Sequence, residues 1–246
     1  YERGDAPAEE FGFEPGTVLH QGIKLPEPYL EVSTKFEKFD RLLDRKEALE
    51  ISNLTDEEFD SILSIVVEVD KIKLKEGLNR VRENYQRSAD KGRFPQSEVE
   101  NRMGFIEGST ALEELAICDL IIEAVFENIE IKKEIFSKLQ RIAKPSSILA
   151  TNTSGLDIDS IANMTDRPED IVGLHFFSPA NVMKLLEIVQ AKQTSSRVIK
   201  ICMELAQKIN KIPVLVGVCD GFVGNRILWA RQDQANKLVQ NGILPW

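Results

Sequence analysis

From about residue 64 onward the chain alternates between short apolar runs and amphipathic stretches with helical spacing. Ile65-Val-Val-Glu-Val69 is rich in β-branched residues and reads as a strand. From Lys73 to Lys91, apolar positions at Leu74, Leu78, Val81 and Tyr85 predict a solvated amphipathic helix. Asp119 to Val125 is a buried-strand run, and Ile131, Ile135, Leu139 and Ile142 mark one face of the next helix. Ser147 to Thr151 predicts a strand, Ile158 to Ala162 a short helix, and Ile171–Phe177 and Leu185–Val189 two further strands. Val198 to Ile209 predicts a helix, Pro213 to Val218 a last strand, and Phe222 to Val239 a long helix. Strands alternating with helices imply a largely parallel sheet covered on both faces.

The first part of the chain does not follow this pattern. Pro7, Pro15, Pro26 and Pro28, with scattered acids, predict an extended or loop segment followed by a polar helix around Thr34 to Glu50. Thr55-Asp-Glu-Glu58 is a capping-box pattern that opens a short helix towards Leu63. The chain starts at Tyr1 rather than Met and stops at Trp246 straight after a helical pattern, so both ends are expected to be cut. No internal repeat is visible.

Composition narrows the partners. The 246 residues carry a net charge of −9, which disfavours a nucleic-acid backbone or an anionic membrane surface, since both need clustered Lys and Arg. A small anionic ligand remains compatible, because a few local donors can hold it. Cys118, Cys202 and Cys219 are far apart, with no CxxC spacing and no metal-ligand pattern. An odd, sparse count fits a reducing compartment. No apolar run reaches the length of an integral membrane segment.

A doubly wound dinucleotide-binding domain normally opens with a strand, GxGxxG and a helix, whose glycines let the backbone approach a pyrophosphate. No two of the 14 glycines are separated by a single residue, so GxGxxG is absent. An acid after the second strand normally bonds the adenosine ribose. Asp70 stands near that place; the plainer reading is a turn residue or helix cap.

Four positions carry candidate chemistry. His175 lies near the end of an apolar strand, where an open parallel sheet places its ligand crevice. An imidazole with pKa near ~6.5 suits proton removal from an alcohol, although a core histidine bonded to backbone fits the same pattern. Glu187 is an acid within the apolar strand Leu185–Val189. A buried carboxylate is costly unless paired, so a His175–Glu187 contact would fix the imidazole tautomer; otherwise Glu187 alternates out to solvent. Asn152-Thr-Ser154 ends another strand and suits hydrogen bonds to an alcohol or carbonyl, or a helix cap. Asn225, within Gly221-Phe-Val-Gly-Asn-Arg226, opens the last helix, where glycines permit either close approach to a ligand or a tight turn.

Asp119-Leu-Ile-Ile-Glu-Ala-Val-Phe-Glu-Asn128, Ala150-Thr-Asn-Thr-Ser154, Gly173-Leu-His-Phe-Phe-Ser-Pro-Ala-Asn-Val-Met-Lys-Leu-Leu-Glu187 and Asp220–Arg226 together resemble the 3-hydroxyacyl-CoA dehydrogenase family. The form is nearest the dehydrogenase half of bifunctional enoyl-CoA hydratase/dehydrogenase enzymes, and the likeness runs from about Asp70 to Trp246. The resemblance implies His175 as catalytic base, Glu187 as its orienting acid, Ser154 as a contact to both substrate hydroxyl and nicotinamide, and Asn225 as a substrate-site residue. It implies NAD as cofactor, with Glu127 and Lys132 near the nicotinamide ribose, Ser178 beside the nicotinamide and Asp70 at the adenosine ribose. The implied reaction is reversible oxidation of a 3-hydroxyacyl-CoA to a 3-ketoacyl-CoA in fatty-acid β-oxidation. The implied setting is a peroxisome or mitochondrion in a eukaryote, or the cytoplasm of a bacterium.

Two departures from the family pattern set further expectations. Residues 1–63 occupy the place of strand, GxGxxG and helix with unrelated sequence, and only the first helix of the family's C-terminal helical domain follows. The expected division is an atypical segment at 1–63, a Rossmann-like domain at 64–219 lacking its glycine unit, and the start of an all-helical domain at 220–246. A homodimer is expected only with that helical domain complete. Residues 1–63 are not expected to rebuild the phosphate site, and the lost first strand is expected to leave neighbouring backbone unpaired. The alternative function is a non-catalytic remnant that binds acyl-CoA or a partner but NAD poorly.

Overall fold

The computed structural model describes residues 31–35, 55 and 62–243. Among them eight strands form one sheet in the order β3-β2-β1-β4-β5-β6-β7-β8. In chain order these are β1 (Glu31–Lys35), β2 (Leu63–Val67), β3 (Ile106–Ser109), β4 (Leu120–Glu123), β5 (Ile148–Thr151), β6 (Ile171–Phe176), β7 (Leu185–Gln190) and β8 (Ile212–Gly217). The helices are α1 (Lys71–Asp90), α2 (Ser97–Met103), α3 (Ile129–Ile142), α4 (Ile158–Ala162), α5 (Ser196–Lys208) and α6 (Gly224–Gln240). The fold is a Rossmann-like mixed sheet with helices on both faces.

The period-two rule explains the layering. Leu120 and Ile122 of β4 point to one face, where Val198, Ile201 and Cys202 of α5 cover them. Ile121, between them, points to the other face and packs with Phe136 and Leu139 of α3 and with Ile158 and Ile161 of α4. Such strands are buried on both sides, which is why they read as unbroken apolar runs. A side chain such as Ile121, with no exposed surface, contributes about 1.5–3 kcal/mol by burial.

Several sequence expectations are corrected. The slot beside β2 is not empty: β1 lies between β2 and β4 and pairs with both, antiparallel in each case. The neighbouring backbone is therefore paired, because an open ladder on either side gives a short extended segment two rows of hydrogen-bond partners. Thr34 and Lys35 belong to this strand rather than to a polar helix. The rest of that expected helix, at 36–50, and the expected helix after Thr55 lie outside the described residues. Within α3 the buried face is Lys132, Phe136 and Leu139, while Ile131 is exposed, so the face is rotated by one residue from the apolar pattern.

The directions of the strands place the site. β2, β4, β5 and β6 run the same way and end at Val67, Glu123, Thr151 and Phe176. β1, running oppositely, brings its amino end to that edge, with Glu31 paired to Val67. β7 also runs oppositely, and its register sets Glu187 directly across from His175.

Candidate functional site

Directly opposed residues on antiparallel strands share a face, so the β6–β7 register alone brings the His175 and Glu187 side chains together. The imidazole Nδ1 lies 2.7 Å from Glu187 Oε2, and both side chains are buried. The other carboxylate oxygen, Oε1, accepts from the backbone N–H groups of Val223 at 3.0 Å and Gly224 at 2.8 Å. Those are among the first amides of α6, which have no partner within the helix and carry the positive end of its dipole. With Oε2 accepting from Nδ1–H, the other ring nitrogen, Nε2, is left as the basic one.

Aromatic rings frame the imidazole. Phe177 lies 4.4 Å from it between centroids and Phe222 5.8 Å. Phe222 is fully buried and sits at φ +49°, directly after Gly221 at φ +66°. This left-handed pair turns the chain sharply from β8 into α6. A Cβ on Gly221 would lie 2.4 Å from the Trp229 ring, and one on Gly224 would lie 2.5 Å from Phe177 Cζ. Neither Gly221 in the turn nor Gly224 at the close approach has room for a side chain.

A second polar cluster lies at the ends of β4 and β5. Glu127 Oε1 accepts from Thr153 Oγ1 at 2.6 Å, from the Ser154 amide at 2.7 Å and from Ser154 Oγ at 3.0 Å. Its Oε2 is 3.6 Å from Lys132 Nζ. Burial pushes the Glu127 carboxyl up, but the bonds from Thr153 and Ser154 together with the Lys132 charge outweigh it and hold the group below its ordinary value. Lys132 is turned inwards, with 1% of its side chain exposed. Its ammonium donates to Glu123 Oε1 at 2.8 Å and to the Val125 carbonyl at 3.4 Å. Glu123 Oε1 also accepts from the Val125 amide at 2.6 Å, and its Oε2 accepts from Thr151 Oγ1 at 2.8 Å.

The two clusters meet through Asn225, whose Nδ2 donates to the Ser154 carbonyl at 3.1 Å, one residue after the amide that grips Glu187. The structure thus joins His175, Glu187, Asn225, Ser154, Glu127 and Lys132 in one polar path. Ser178 follows β6 at a cis bond to Pro179. The loop after it is pinned by Lys211, whose ammonium donates to the Ala180 and Met183 carbonyls, the latter at 2.6 Å. Asp70 lies apart from this path. Its Oδ1 caps α1 by accepting from the amides of Ile72 at 2.8 Å and Lys73 at 3.2 Å. Asn152 Oδ1 accepts from the Phe176 amide at 2.8 Å and so ties β5 to β6. The cap of α4 is Asp157, not Asn152 or Ser154. Cys202 is inert, its thiol pushed up to about 12 by burial.

Glu123, Thr151, Phe222 and Lys211 are site residues that the sequence reading missed. Glu123 carries the clearest overlooked signal, a charge within an otherwise apolar run at the end of a strand.

The nicotinamide end of a dinucleotide fits this arrangement, since Glu127 and Ser154 offer a carboxylate and a hydroxyl beside the crevice. The pyrophosphate end finds no glycine cradle among the described residues, because β1 runs against the direction that would lead a strand into a helix N-terminus there.

Residues 61–219 match the family described as "3-hydroxyacyl-CoA dehydrogenase, NAD binding domain". The peroxisomal bifunctional enzyme of Cavia porcellus is 48% identical over 137 residues, covering 56% of this chain and 19% of that protein. The peroxisomal fatty acid beta-oxidation multifunctional protein MFP2 of Arabidopsis thaliana is 41% identical over 182 residues, covering 74% and 25%. The chain thus spans about a fifth to a quarter of these relatives' length. The crystal structure of 3-hydroxybutyryl-CoA dehydrogenase from Escherichia coli K12 superposes with a TM-score of 0.71 at 29% identity, covering 73% of this chain and 38% of that one.

Proposed function

The chain belongs to the 3-hydroxyacyl-CoA dehydrogenase family through its NAD-binding domain, and on that footing we propose that it oxidises a 3-hydroxyacyl-CoA to the 3-ketoacyl-CoA, with His175 as base. The observation that carries this reading is the buried His175–Glu187 pair, 2.7 Å apart, with its free nitrogen at the crevice end of the sheet. Nε2 takes the proton of the 3-hydroxyl. Glu187, held by two backbone amides, keeps Nδ1 protonated and stabilises the imidazolium that forms. Ser154 hydrogen-bonds the reacting hydroxyl or the carboxamide beside it, and Asn225 fixes the Ser154 backbone from the start of α6. Bound NAD would supply the hydride acceptor for C3, while the protein supplies orientation and the base. Glu127 and Ser178 line the cofactor side in this reading, with Lys132 acting behind Glu127.

The peroxisomal names of the relatives support a peroxisomal setting. Among the described residues no helix is long and apolar enough to cross a membrane. In this reading 64–219 form the Rossmann-like domain, to whose sheet the preceding segment adds β1, and 220–246 open a helical domain. One observation favours a second reading, a relative that binds acyl-CoA but NAD poorly: the antiparallel β1 offers no strand-to-helix phosphate turn.

Titrating the 246-residue chain with NADH and following nucleotide fluorescence separates the two. Saturable binding, with hydroxyacyl-CoA oxidation that His175→Ala abolishes, is the expected result. Absence of NADH binding would reject the dehydrogenase activity for this chain and leave the second reading.

A further inference from the structure

Beneath the crevice lies a buried ion pair in which Lys132 stands behind Glu127 and Glu123 has no role in the reaction proposed above. Glu123 has no exposed surface and Lys132 only 1%. Burying two charges costs several kcal/mol each before their attraction is counted, and a well-packed apolar pair of similar volume usually serves a core at least as well. The pair is nevertheless fully supplied with partners. Glu123 is held by Lys132, Thr151 and the Val125 amide, so its carboxylate is fixed to the ends of β4 and β5.

We propose that Glu123 is a positioning residue which, through Lys132 and Glu127, fixes the Ser154 hydroxyl as a hydrogen-bond acceptor towards the ligand. The ligand-facing part of this rests on the dehydrogenase reading above. Glu123 holds the Lys132 ammonium 3.6 Å from Glu127 Oε2. With Oε2 facing that cation, Glu127 turns Oε1 to Thr153 Oγ1, the Ser154 amide and Ser154 Oγ. Lys132, from α3, is the charged group within ion-pair reach of Glu127. The groups facing Glu127 from the β5 loop are neutral, and so is Asn225, which reaches the Ser154 carbonyl from α6.

A serine hydroxyl has one proton. Here it points at Glu127, so only lone pairs remain for a ligand. Ser154 can then accept from a carboxamide N–H, while the single proton of the substrate hydroxyl goes to His175 Nε2.

The test uses the full chain without ligand and the neutral pair Glu123→Gln with Lys132→Met, which leaves no unpaired buried charge. Carboxyl NMR follows the titration of Glu127, and amide exchange follows Ser154. The expected result is an upward shift of the Glu127 midpoint towards the ordinary glutamate range. Exchange of the Ser154 amide should be about ten-fold faster, the size of one weakened hydrogen bond to a charged acceptor. A folded variant in which neither changes would overturn the proposal. Should the variant not fold, the unsubstituted protein decides: the Lys132 ammonium resonance should shift with the same midpoint as Glu127, and an invariant resonance would also overturn it. Failure of NADH binding would remove the proposed activity, whereas the coupled Lys132–Glu127–Ser154 response would still support the positioning role.

Discussion

Replacing Glu187 by Gln keeps its shape and changes one oxygen to an NH2. That amide can be seated in two ways. With its nitrogen towards α6 it would meet the backbone N–H groups of Val223 and Gly224, two donors that cannot turn away. With its oxygen towards α6 both bonds survive, and the NH2 faces His175 Nδ1 instead. The imidazole can adapt to that by moving its proton to Nε2, so the second seating wins. Its consequence is the wrong tautomer, with Nδ1 accepting and the catalytic Nε2 already protonated. In a serine protease the equivalent change lowers kcat about 10⁴-fold; the expected loss here is roughly 10³–10⁴-fold with substrate affinity little altered. Weakening three charge-assisted bonds to neutral ones also lowers stability, by about 1–3 kcal/mol. Nitrogen-15 NMR of the imidazole measures the tautomer directly, and NADH-coupled turnover of a ketoacyl-CoA measures the rate. A folded variant that kept the proton on Nδ1, or turned over within about ten-fold of the parent, would refute this account of the site.

Two further outcomes are expected. Gly224→Ala places a Cβ 2.5 Å from Phe177 Cζ, and Phe177 packs on His175 with ring centroids 4.4 Å apart. It should cost about 1–3 kcal/mol in chemical denaturation and shift the His175 ring resonances, and an unchanged denaturation midpoint would contradict the packing. Glu127 has its carboxyl pKa lowered below the ordinary 4.5 on folding, so its stabilising share is present above that value and is lost as pH falls through the lower folded value. Glu127→Gln should therefore be less sensitive than the parent to acidification in that window, measured as melting temperature against pH. Parallel pH profiles would show that Glu127 gains nothing on folding.

The His175–Glu187 contact was legible because an acid inside an apolar strand has few alternatives to pairing, and a strand return puts the two opposite each other. The sheet core was legible for the same reason: strands buried on both faces leave uninterrupted apolar runs. The direction and place of β1 were not. Glu-Val-Ser-Thr-Lys has little pattern of its own, and what orders it is the pair of open ladders on β2 and β4, which local sequence does not report. The rotated face of α3 was missed because a rule that counts Lys as polar cannot see that Lys132 has a buried partner on another element. Asp70 is ambiguous for a related reason: one acid after a strand suits a ribose and a helix cap equally, and its Oδ1 here meets the α1 amides.

β1 has one more consequence, for how the protein comes apart. Among the described residues it is the one strand hydrogen-bonded to both β2 and β4, so every ladder bond between the β2–β3 pair and the other five strands passes through it. The sheet is a fabric with a single seam, stitched by a segment far from either side in sequence. Release of five residues would leave the β2–β3 flap tied to the remainder by packing and by the chain segment from β3 to β4, a boundary between two cooperative units of different opening free energy. The seam also runs between Asp70 and the His175 cluster, so the same stitching sets whether these two parts of the sheet edge keep a fixed distance.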